Sequence, residues 1–321
     1  MTDTEALVGL EEIMEAAARL EGVVVRTPLV SWPELSERLG CEVRLKCESL
    51  QRSGSFKARG AFNFASRLPA EELGRGLITY SSGNHAQAVA LVAGLFGVQA
   101  VVVMPVNAPA VKREGAERLG AEVVLEGTTS VERRARAQAI ADERGLAMVP
   151  PFDHPLIIAG QGTVGLEIVQ QWEDVDTVLA PIGGGGLASG VSAAVRHLRP
   201  DARIFGVEPS GAASMRAALD AGGPVQLESI DSIADGLLPV RTGDHTYRHI
   251  RDLADDVLLV DDDGIVEAAL LLATERKLLV EFSGAASVAA ILSGRVDVTD
   301  RKIVAVLSGG NVDPAALVEH G

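Results

Sequence analysis

Short runs of aliphatic and β-branched residues alternate with Ala-rich helical stretches along most of this chain, and this alternation restricts the fold more than any other feature. Strands are predicted at Leu77–Tyr80, Ala100–Met104, 177–182, 203–207 and 303–307, and helical stretches follow most of them. Aromatic residues make up only 3% of the chain, so the core has to be built from Ala, Val, Leu and Ile. Such cores are typical of parallel sheets covered by helices, and the sequence therefore predicts an α/β protein with three-layer αβα architecture.

The length of the chain predicts about two domains. At ~150 residues per domain, 321 residues are enough for two open α/β layers. The Ser/Gly segment at 53–55 and the Pro150-Pro151 pair interrupt the pattern and place the domain boundaries near residues 48 and 150.

Charge and cysteine content argue against several classes of function. The formal net charge of −15 makes a nucleic-acid or anionic-membrane partner a poor hypothesis. The two cysteines, Cys41 and Cys47, are too few for a disulfide framework or a paired-cysteine metal site. Acidic residues stand near the N-terminus, where a secretory signal needs a basic region. We therefore expect a cytoplasmic protein.

Ligands of open α/β sheets bind beyond the carboxyl ends of the strands, so the loops that follow strands are where chemistry is expected. One such loop, SGSFKARGAF, carries Lys57, which is predicted to lie one turn into a helix capped by Ser53 or Ser55. The positive end of a helix disfavours the charged form of a lysine and so favours its reaction as an amine with an aldehyde. The alternative is an ordinary surface lysine on a helix.

A second loop contains four glycines between a predicted strand and a predicted helix. Its backbone N–H groups can approach an anion closely, which predicts a phosphate site. The loop consists of Gly183, Gly184, Gly185 and Gly186 and is followed by Leu187. The same loop also fits a dinucleotide site, because Gly183, Gly185 and Ala188 match its spacing and Glu208 follows at the end of the next strand. A Rossmann-type oxidoreductase is therefore the alternative from another functional class.

Two further loops complete the set. One of them could bind a carboxylate through its backbone N–H groups and hydroxyls, although a plain helix cap is the simpler interpretation. It consists of Ser81, Ser82, Gly83, Asn84 and His85. The other begins with Ser308, whose hydroxyl could face a ring nitrogen. An amine, a phosphate cradle, a carboxylate cradle and a hydroxyl are together the parts needed to hold pyridoxal phosphate and an amino acid.

Seven motifs in order give the chain a close resemblance to the fold-type II pyridoxal-phosphate enzymes, specifically the threonine/serine dehydratase and serine racemase family. The motifs are RTPLV, LKCESLQRSGSFKARGAF, SSGNHAQAVA, FDHPLIIAGQGTVGLEI, PIGGGGLASG, IADGL and VLSGGNVD. The resemblance implies two open twisted αβα domains of the tryptophan synthase β-subunit-like type. Residues 1–48 and 150–321 would form a large cofactor-binding domain, and residues 49–149 a small one.

The resemblance also implies a role for each loop. Lys57 would bind the cofactor aldehyde covalently, Phe56 would pack at the ring, Asn84 would hydrogen-bond the ring 3′-oxygen and Ser308 would face the pyridine nitrogen. The four glycines and Leu187 would hold the phosphate. The substrate carboxylate would be bound by Ser81, Ser82, Gly83, Asn84 and His85.

The activity that the resemblance implies is that of an ammonia-lyase, which converts L-threonine or L-serine into 2-oxobutyrate or pyruvate plus ammonia. Lys57 would remove the Cα proton. A serine such as Ser308 cannot protonate the pyridine nitrogen as an aspartate would, which favours prompt loss of the β-hydroxyl over a long-lived carbanion.

Ser82 leaves a second activity open. Dehydratases of the family often carry Ala at this position, whereas serine racemases carry a Ser that acts as acid and base on the face opposite the lysine. Serine racemase is therefore an alternative, as is a dehydratase of another 3-hydroxy amino acid such as 3-hydroxyaspartate. Phe282, beside Glu281, stands where relatives have Pro and could reshape the pocket that selects the substrate.

The resemblance further bears on ions and partners. Glu208 and the Ala212 carbonyl match the racemase-like metal site, but Ser214 replaces its second carboxylate, so a monovalent cation or none is expected rather than a divalent one. Family members are commonly dimers or tetramers, so a homo-oligomer is expected, with a small amino acid as substrate. Asp235 is interpreted as a turn former, and a C-terminal regulatory domain is not expected.

Overall fold

Two separate β-sheets organise the chain. The computed structural model describes residues 6–81, 83–108 and 110–320. The strands are β1 Leu29–Ser31, β2 Glu42–Cys47, β3 Leu77–Tyr80, β4 Ala100–Met104, β5 Ala121–Leu125, β6 Ala147–Met148, β7 Thr177–Pro181, β8 Arg203–Pro209, β9 Asp256–Val260 and β10 Lys302–Leu307.

Helices surround both sheets. The helices are α1 Leu10–Leu20, α2 Pro33–Leu39, α3 Lys57–Ala65, α4 Ala70–Arg75, α5 Asn84–Phe96, α6 Ala110–Arg118, α7 Ser130–Arg144, α8 Pro155–Gln171, α9 Gly186–Leu198, α10 Ser214–Ala221, α11 Asp244–Leu253, α12 Asp262–Arg276, α13 Phe282–Leu292 and α14 Pro314–His320. Short 3₁₀ turns lie at Glu48–Leu50, Arg52–Gly54, Ser210–Ala212 and Asp235–Leu237. In the part of the chain that the structure describes, no helix is both long and apolar enough to cross a bilayer.

The larger sheet has six strands in the order β1-β2-β10-β7-β8-β9. All neighbouring strands are parallel except β1, which pairs antiparallel with β2 at the edge. Strand β10 follows every other strand in the sequence, yet it lies inside the sheet, between β2 and β7. The sheet therefore combines strands from both ends of the chain.

The smaller sheet has four parallel strands in the order β5-β4-β3-β6. All four come from residues 77–148, a continuous part of the chain. The domain boundaries near residues 48 and 150 themselves stay a prediction.

Alternate residues of the central strands face two different apolar cores. In β10, Ile303, Ala305 and Leu307 pack into a core with α12 and α13, whereas Val304 and Val306 pack into a core with α8 and α9. The smaller sheet is likewise covered by α3 and α5 on one face and by α7 on the other. Both faces of each sheet are thus buried, which explains the nearly continuous apolar composition of the strands. The predicted α/β class and the three-layer architecture are confirmed.

Candidate active site

The carboxyl ends of β7 and β10 place two of the predicted loops side by side. The two strands are parallel neighbours in the larger sheet, so their carboxyl ends meet at the same edge. The glycine loop follows β7, and the loop that begins at Ser308 follows β10. These two loops form the floor of the candidate site.

Backbone pairing ties the lysine loop to the same edge. Ser55 and Gly309 form an isolated antiparallel bridge. Phe56 N donates to the Ser308 carbonyl at 3.2 Å, and Gly310 N donates to the Gly54 carbonyl at 2.9 Å. Segments from opposite ends of the sequence are therefore joined directly beside Lys57.

Helix α3 begins at Lys57 itself, so the prediction that Lys57 lies one turn into a helix capped by Ser53 or Ser55 is wrong. Phe56 is the N-cap residue, and its side chain makes no capping hydrogen bond. Ser53 adopts a left-handed conformation with φ +60°, which turns the chain sharply before the helix. Lys57 consequently lies closer to the positive end of the helix dipole than predicted.

The Lys57 amine lies in a partly enclosed environment of low polarity. Its Nζ donates to the Pro151 carbonyl at 2.8 Å and lies 5.1 Å from the centre of the Phe56 ring. Burial lowers the pKa of Lys57 to about 8, and the negative charge of Glu281 opposes this effect only in part. With that pKa roughly one amine in ten is neutral at pH 7, far more than for an ordinary lysine. Lys57 is thus suited to act as a nucleophile and a base.

A buried ion cluster fixes the helix that carries Lys57. The Arg59 guanidinium has no exposed surface and binds the carboxylates of Glu48 and Glu167, with contacts of 2.7–3.0 Å. Lys46 Nζ binds the second oxygen of Glu167 and the Thr27 carbonyl. Because these partners lie on β2, on α8 and in the segments before and after β2, α3 is held between the larger sheet and α8.

Consecutive backbone N–H groups in the glycine loop lack an internal partner. From Gly183 to Ala188, none of these groups donates to an acceptor within the described residues, and the first internal bond is from Ser189 N to the Gly185 carbonyl. All of these residues except Gly183 are buried. Buried N–H groups need acceptors, and at the start of a helix an anion meets that need.

Two of the glycines are required by close contacts. A methyl side chain at Gly184 would lie 2.2 Å from the Phe152 ring, and one at Gly185 would lie 2.7 Å from the Thr246 side chain. Gly185 also has φ +99°, a conformation that strains other residues. The Thr246 hydroxyl donates to the Gly184 carbonyl at 2.7 Å, which turns that carbonyl towards α11.

The predicted carboxylate loop lies between β3 and α5. Ser81 N donates to the Val103 carbonyl, and the Ser81 hydroxyl accepts from Gly83 N at 3.3 Å. Helix α5 then begins at Asn84, so its first N–H groups face this loop. The prediction for Ser82 lies outside the described residues.

The His85 side chain faces inward. Its Nε2 lies 3.1 Å from the Val149 carbonyl, and the residue is almost fully buried. Burial, together with the nearby positive charge of Lys57, lowers the pKa of His85 to about 3. The ring is therefore neutral at physiological pH, so His85 can contribute its backbone N–H but not a cationic side chain to carboxylate binding.

Asn84 belongs to a network of side chains that includes two residues to which the sequence analysis gave no role. Its amide nitrogen donates to a Glu281 oxygen, and its amide oxygen accepts from Asn311 Nδ2 at 2.9 Å. Burial raises the pKa of Glu281 to about 7. The Ser308 residue is buried next to this network, and its hydroxyl makes no hydrogen bond within the described part of the chain.

Two charged residues cover the carboxylate loop. Lys112 of α6 and Asp235 of the 3₁₀ turn form an ion pair. A methyl side chain at Gly83 would lie 3.2 Å from the Lys112 side chain, so Lys112 covers the carboxylate loop. Asp235 was interpreted as a turn former only. The scarcity of lysines, five in the whole chain, was the one signal that could have identified Lys112.

Glu208 caps a helix, whereas the sequence suggested that it binds a dinucleotide ribose or a cation. One carboxylate oxygen accepts from Met215 N at 2.7 Å, and the other accepts from Arg216 N at 2.9 Å, so Glu208 caps α10. A dinucleotide ribose or a cation would have to compete with these bonds. Ala212 is buried in the preceding 3₁₀ turn, and no cluster of three or more His, Cys, Asp or Glu side chains in the described ranges could hold a metal. The cation stays a prediction without support.

Phe282 begins α13 and packs in the core of the larger sheet. Its ring contacts His320 edge-on, with centroids 5.4 Å apart. The ring is thus a core residue, which does not support the expectation that it reshapes the pocket.

The residues present fit pyridoxal phosphate. Within the described residues, the glycine-loop amides that lack an acceptor suit its phosphate, the Ser308 hydroxyl that lacks a partner suits its ring nitrogen, and the Lys57 amine suits its aldehyde. These groups come from loops that the strand order of the larger sheet and the Ser55–Gly309 bridge bring together.

Comparisons with known proteins agree with this chemistry. Residues 8–309 match the family described as pyridoxal-phosphate dependent enzyme. An L-threonine ammonia-lyase from Geobacter sulfurreducens is 46% identical over 312 residues, which are 96% of this chain and 78% of the relative. A catabolic L-threonine dehydratase from Escherichia coli is 40% identical over 308 residues, 95% of this chain and 94% of the relative. The structure of maize serine racemase superimposes with a TM-score of 0.94 at 38% identity and covers 98% of this chain and 97% of its own.

Proposed function

Because the chain belongs to the family of pyridoxal-phosphate dependent enzymes, we propose that it is an ammonia-lyase acting on L-threonine and L-serine. The products are 2-oxobutyrate or pyruvate, together with ammonia. The enzymes of the family use pyridoxal phosphate, and the relatives of known activity at 40–46% identity include L-threonine ammonia-lyases and dehydratases. A homo-oligomeric state and a cytoplasmic location are further proposals from the sequence.

The observation that carries the proposal is the pairing of the Lys57 loop with the Ser308 loop, next to the glycine loop. The Ser55–Gly309 bridge and the neighbouring carboxyl ends of β7 and β10 bring an amine, a hydroxyl and an anion cradle together. A dinucleotide site would use the glycine loop and Glu208 but would give no chemical role to Lys57.

Each group has a partner on the cofactor. We assign the phosphate to the N–H groups from Gly183 to Ala188, the ring nitrogen to Ser308, the ring 3′-oxygen to Asn84 and the aldehyde to Lys57. When bound, pyridoxal phosphate supplies a conjugated ring that accepts the electron pair left on Cα of the substrate.

The protein's own residues then orient the substrate and move its proton. The N–H groups at the start of α5 bind the substrate carboxylate, where the helix dipole favours an anion. Lys57, freed when the substrate amine takes its place at the aldehyde, would take the proton from Cα, because its lowered pKa leaves neutral amine available at physiological pH. The hydrogen bond from Lys57 Nζ to the Pro151 carbonyl holds the amine in one position before it accepts that proton.

Serine racemase remains the second candidate because of the TM-score of 0.94 with the maize enzyme. A racemase needs a proton donor on the face opposite Lys57, and Ser82 is the residue that the family resemblance assigns to it. A Ser82→Ala variant that eliminates L-serine but loses its action on D-serine would support two-base chemistry. Equal loss with both isomers would contradict it. L-threo-3-hydroxyaspartate is tested beside these substrates, since a 3-hydroxyaspartate dehydratase was the other alternative.

The direct test is the visible absorption of the purified protein with pyridoxal phosphate, before and after borohydride. We expect a yellow band that borohydride removes and that is missing in Lys57→Ala. Lys302→Ala is the matched control, because Lys302 forms an exposed ion pair with Asp174 and should keep the band. The wild type should then release 2-oxobutyrate and ammonia from L-threonine. A protein that stays colourless after addition of the cofactor would overturn the proposal.

A further inference from the structure

We propose that Glu281 and Asn311 are positioning residues that hold the Asn84 carboxamide in one orientation, with a side-chain N–H of Asn84 directed at the cofactor. The inference rests on the proposed function, since it concerns the residue assigned to the ring 3′-oxygen. It adds two residues that touch neither the phosphate cradle nor Lys57 by hydrogen bonds in the described structure.

The direction of the hydrogen-bond chain is fixed at its Ser53 end. Asn311 Nδ2 donates to the Ser53 carbonyl at 2.8 Å, and a carbonyl can only accept. The same nitrogen donates to Asn84 at 2.9 Å, so Asn84 must present its oxygen to Asn311. The nitrogen of Asn84 then faces Glu281, whose carboxylate accepts.

The reversed orientation of Asn84 would lose both bonds. Its oxygen would face the Glu281 carboxylate, two acceptors together, and its nitrogen would face the nitrogen of Asn311, two donors together. An amide nitrogen carries two hydrogens, and only one is used by Glu281. The second N–H therefore remains available to an oxygen atom of the cofactor, in a fixed direction.

Two glycines make room for the positioning residues. A methyl side chain at Gly309 would lie 2.1 Å from a Glu281 carboxylate oxygen, and one at Gly54 would lie 2.3 Å from the Asn311 side chain. Gly54 also has φ +72°. Both glycines belong to the loops that carry Lys57 and Ser308, so the network is built into the same pair of loops as the chemistry.

Burial of Glu281 argues that its carboxylate has more than a packing role. The residue is 3% exposed, and its second oxygen has no hydrogen-bond partner in the described ranges. A buried carboxyl group with an unpaired oxygen lowers stability, and such a cost calls for an explanation such as a role in the site. The charged groups near the Glu281 carboxylate are the cations Lys57 and Lys112 and the anion Asp235.

The test reverses the two hydrogen bonds of Asn84 and gives up only the bond from residue 311 to the Ser53 carbonyl. When Asn311→Asp is combined with Glu281→Gln, the carboxylate introduced at position 311 accepts from Asn84, and the amide introduced at position 281 donates to Asn84. Asn84 is then fully bonded but flipped. Glu281→Gln alone should keep the native orientation, because the oxygen of the new amide can still accept. Asn107→Asp, at an exposed turn, is the control for an Asn-to-Asp exchange away from the site, since the double variant leaves the net charge unchanged.

Two measurements read the orientation without relying on turnover. The cofactor-free proteins are titrated with pyridoxal phosphate to obtain a dissociation constant, and the loaded proteins are compared by their absorption bands, which report protonation at the ring 3′-oxygen. For the double variant we expect a dissociation constant about tenfold higher, as for one lost hydrogen bond to a charged group, and a changed ratio of bands. Glu281→Gln and Asn107→Asp should resemble the wild type. Far-UV circular dichroism and thermal unfolding confirm that each variant folds.

The outcomes separate this inference from the proposed function. If the wild type binds the cofactor and the double variant has the same dissociation constant and spectrum, the network is only structural and the inference is wrong. If Glu281→Gln alone changes the spectrum as much as the double variant, the charge of Glu281 matters rather than the orientation of Asn84, and the inference is again wrong. If the wild type itself gives no visible band, the proposed function fails first.

Discussion

Lys112 and Asp235 form an ion pair that joins α6, on the smaller sheet, to the 3₁₀ turn beside α13, on the larger sheet. The Lys112 side chain is 9% exposed and lies against Gly83 of the carboxylate loop. The pair therefore connects the two sheets directly above the place where the substrate is proposed to bind.

We expect Lys112→Met and Asp235→Asn to raise KM for L-threonine about fivefold each, with a smaller effect on kcat. A partly buried pair contributes about 1 kcal/mol, and its loss frees the carboxylate loop from its cover. Steady-state kinetics at saturating cofactor measure the effect. Because the two residues act as one pair, the double variant should be no worse than either single one. Additive effects would contradict this account, and Lys302→Met serves as the surface-pair control.

Lys57 should lower the stability of the cofactor-free protein at neutral pH. Its folded-state pKa of about 8 lies below the ordinary 10.5, so between these values the unfolded chain binds more protons than the folded one. Stability contributed by this group therefore rises with pH across that window and is lowest below pH 8. We expect Lys57→Met to raise the free energy of unfolding by about 1–2 kcal/mol at pH 7, after allowance for solvent screening. This difference from the wild type should disappear as the pH approaches 10.5.

Urea unfolding of the cofactor-free wild type, Lys57→Met and Lys302→Met at several pH values tests this. Lys302→Met removes an exposed pair and should not show the same pH dependence. An advantage of Lys57→Met that is constant with pH would show that packing of the new methionine, and not the charge of Lys57, is responsible.

Gly184→Ala should weaken cofactor binding by distorting the anion cradle. The new methyl group would overlap the Phe152 ring, which lies 2.2 Å away, and would displace the loop. We expect the dissociation constant of pyridoxal phosphate to rise about tenfold or more, equivalent to about 1.4 kcal/mol. Titration of the cofactor-free protein measures it, with inorganic phosphate as a competitor that reports on the cradle alone.

Two further variants make the Gly184 result specific. Gly223→Ala is the matched control, because open space surrounds that glycine, and it should bind normally. Phe152→Leu combined with Gly184→Ala should recover part of the affinity by making room. If the second substitution gives no recovery, the loss does not come from the Phe152 contact.

The strands that frame the site could be predicted because their signal is local. Leu77–Tyr80 and Ala100–Met104 are found as predicted, and the helix predicted to follow the four glycines begins at the last of them, Gly186. The start of α3 could not be predicted in this way. The left-handed turn at Ser53 depends on pairing of its loop with Gly309, far away in the sequence.

The missing site residues have a similar explanation. The roles of three residues depend on hydrogen-bond partners that lie more than a hundred residues away in sequence. These residues are Glu281, Asn311 and Lys112. Glu208 was a candidate ligand by position, but whether a carboxylate binds a cation or caps a helix depends on the N–H groups that face it. A single sequence does not contain that information.

The interior place of β10 also sets the order in which this protein can be completed during synthesis. Until Lys302–Leu307 has left the ribosome, β2 has no neighbour on the side facing β7, and the larger sheet is in two pieces. Ser308 and Gly309 follow directly, so the partner of the lysine loop arrives with the last strand. Such long-range pairing is slow to form, and a nascent chain should acquire the cofactor only after residues 302–309 have left the ribosome.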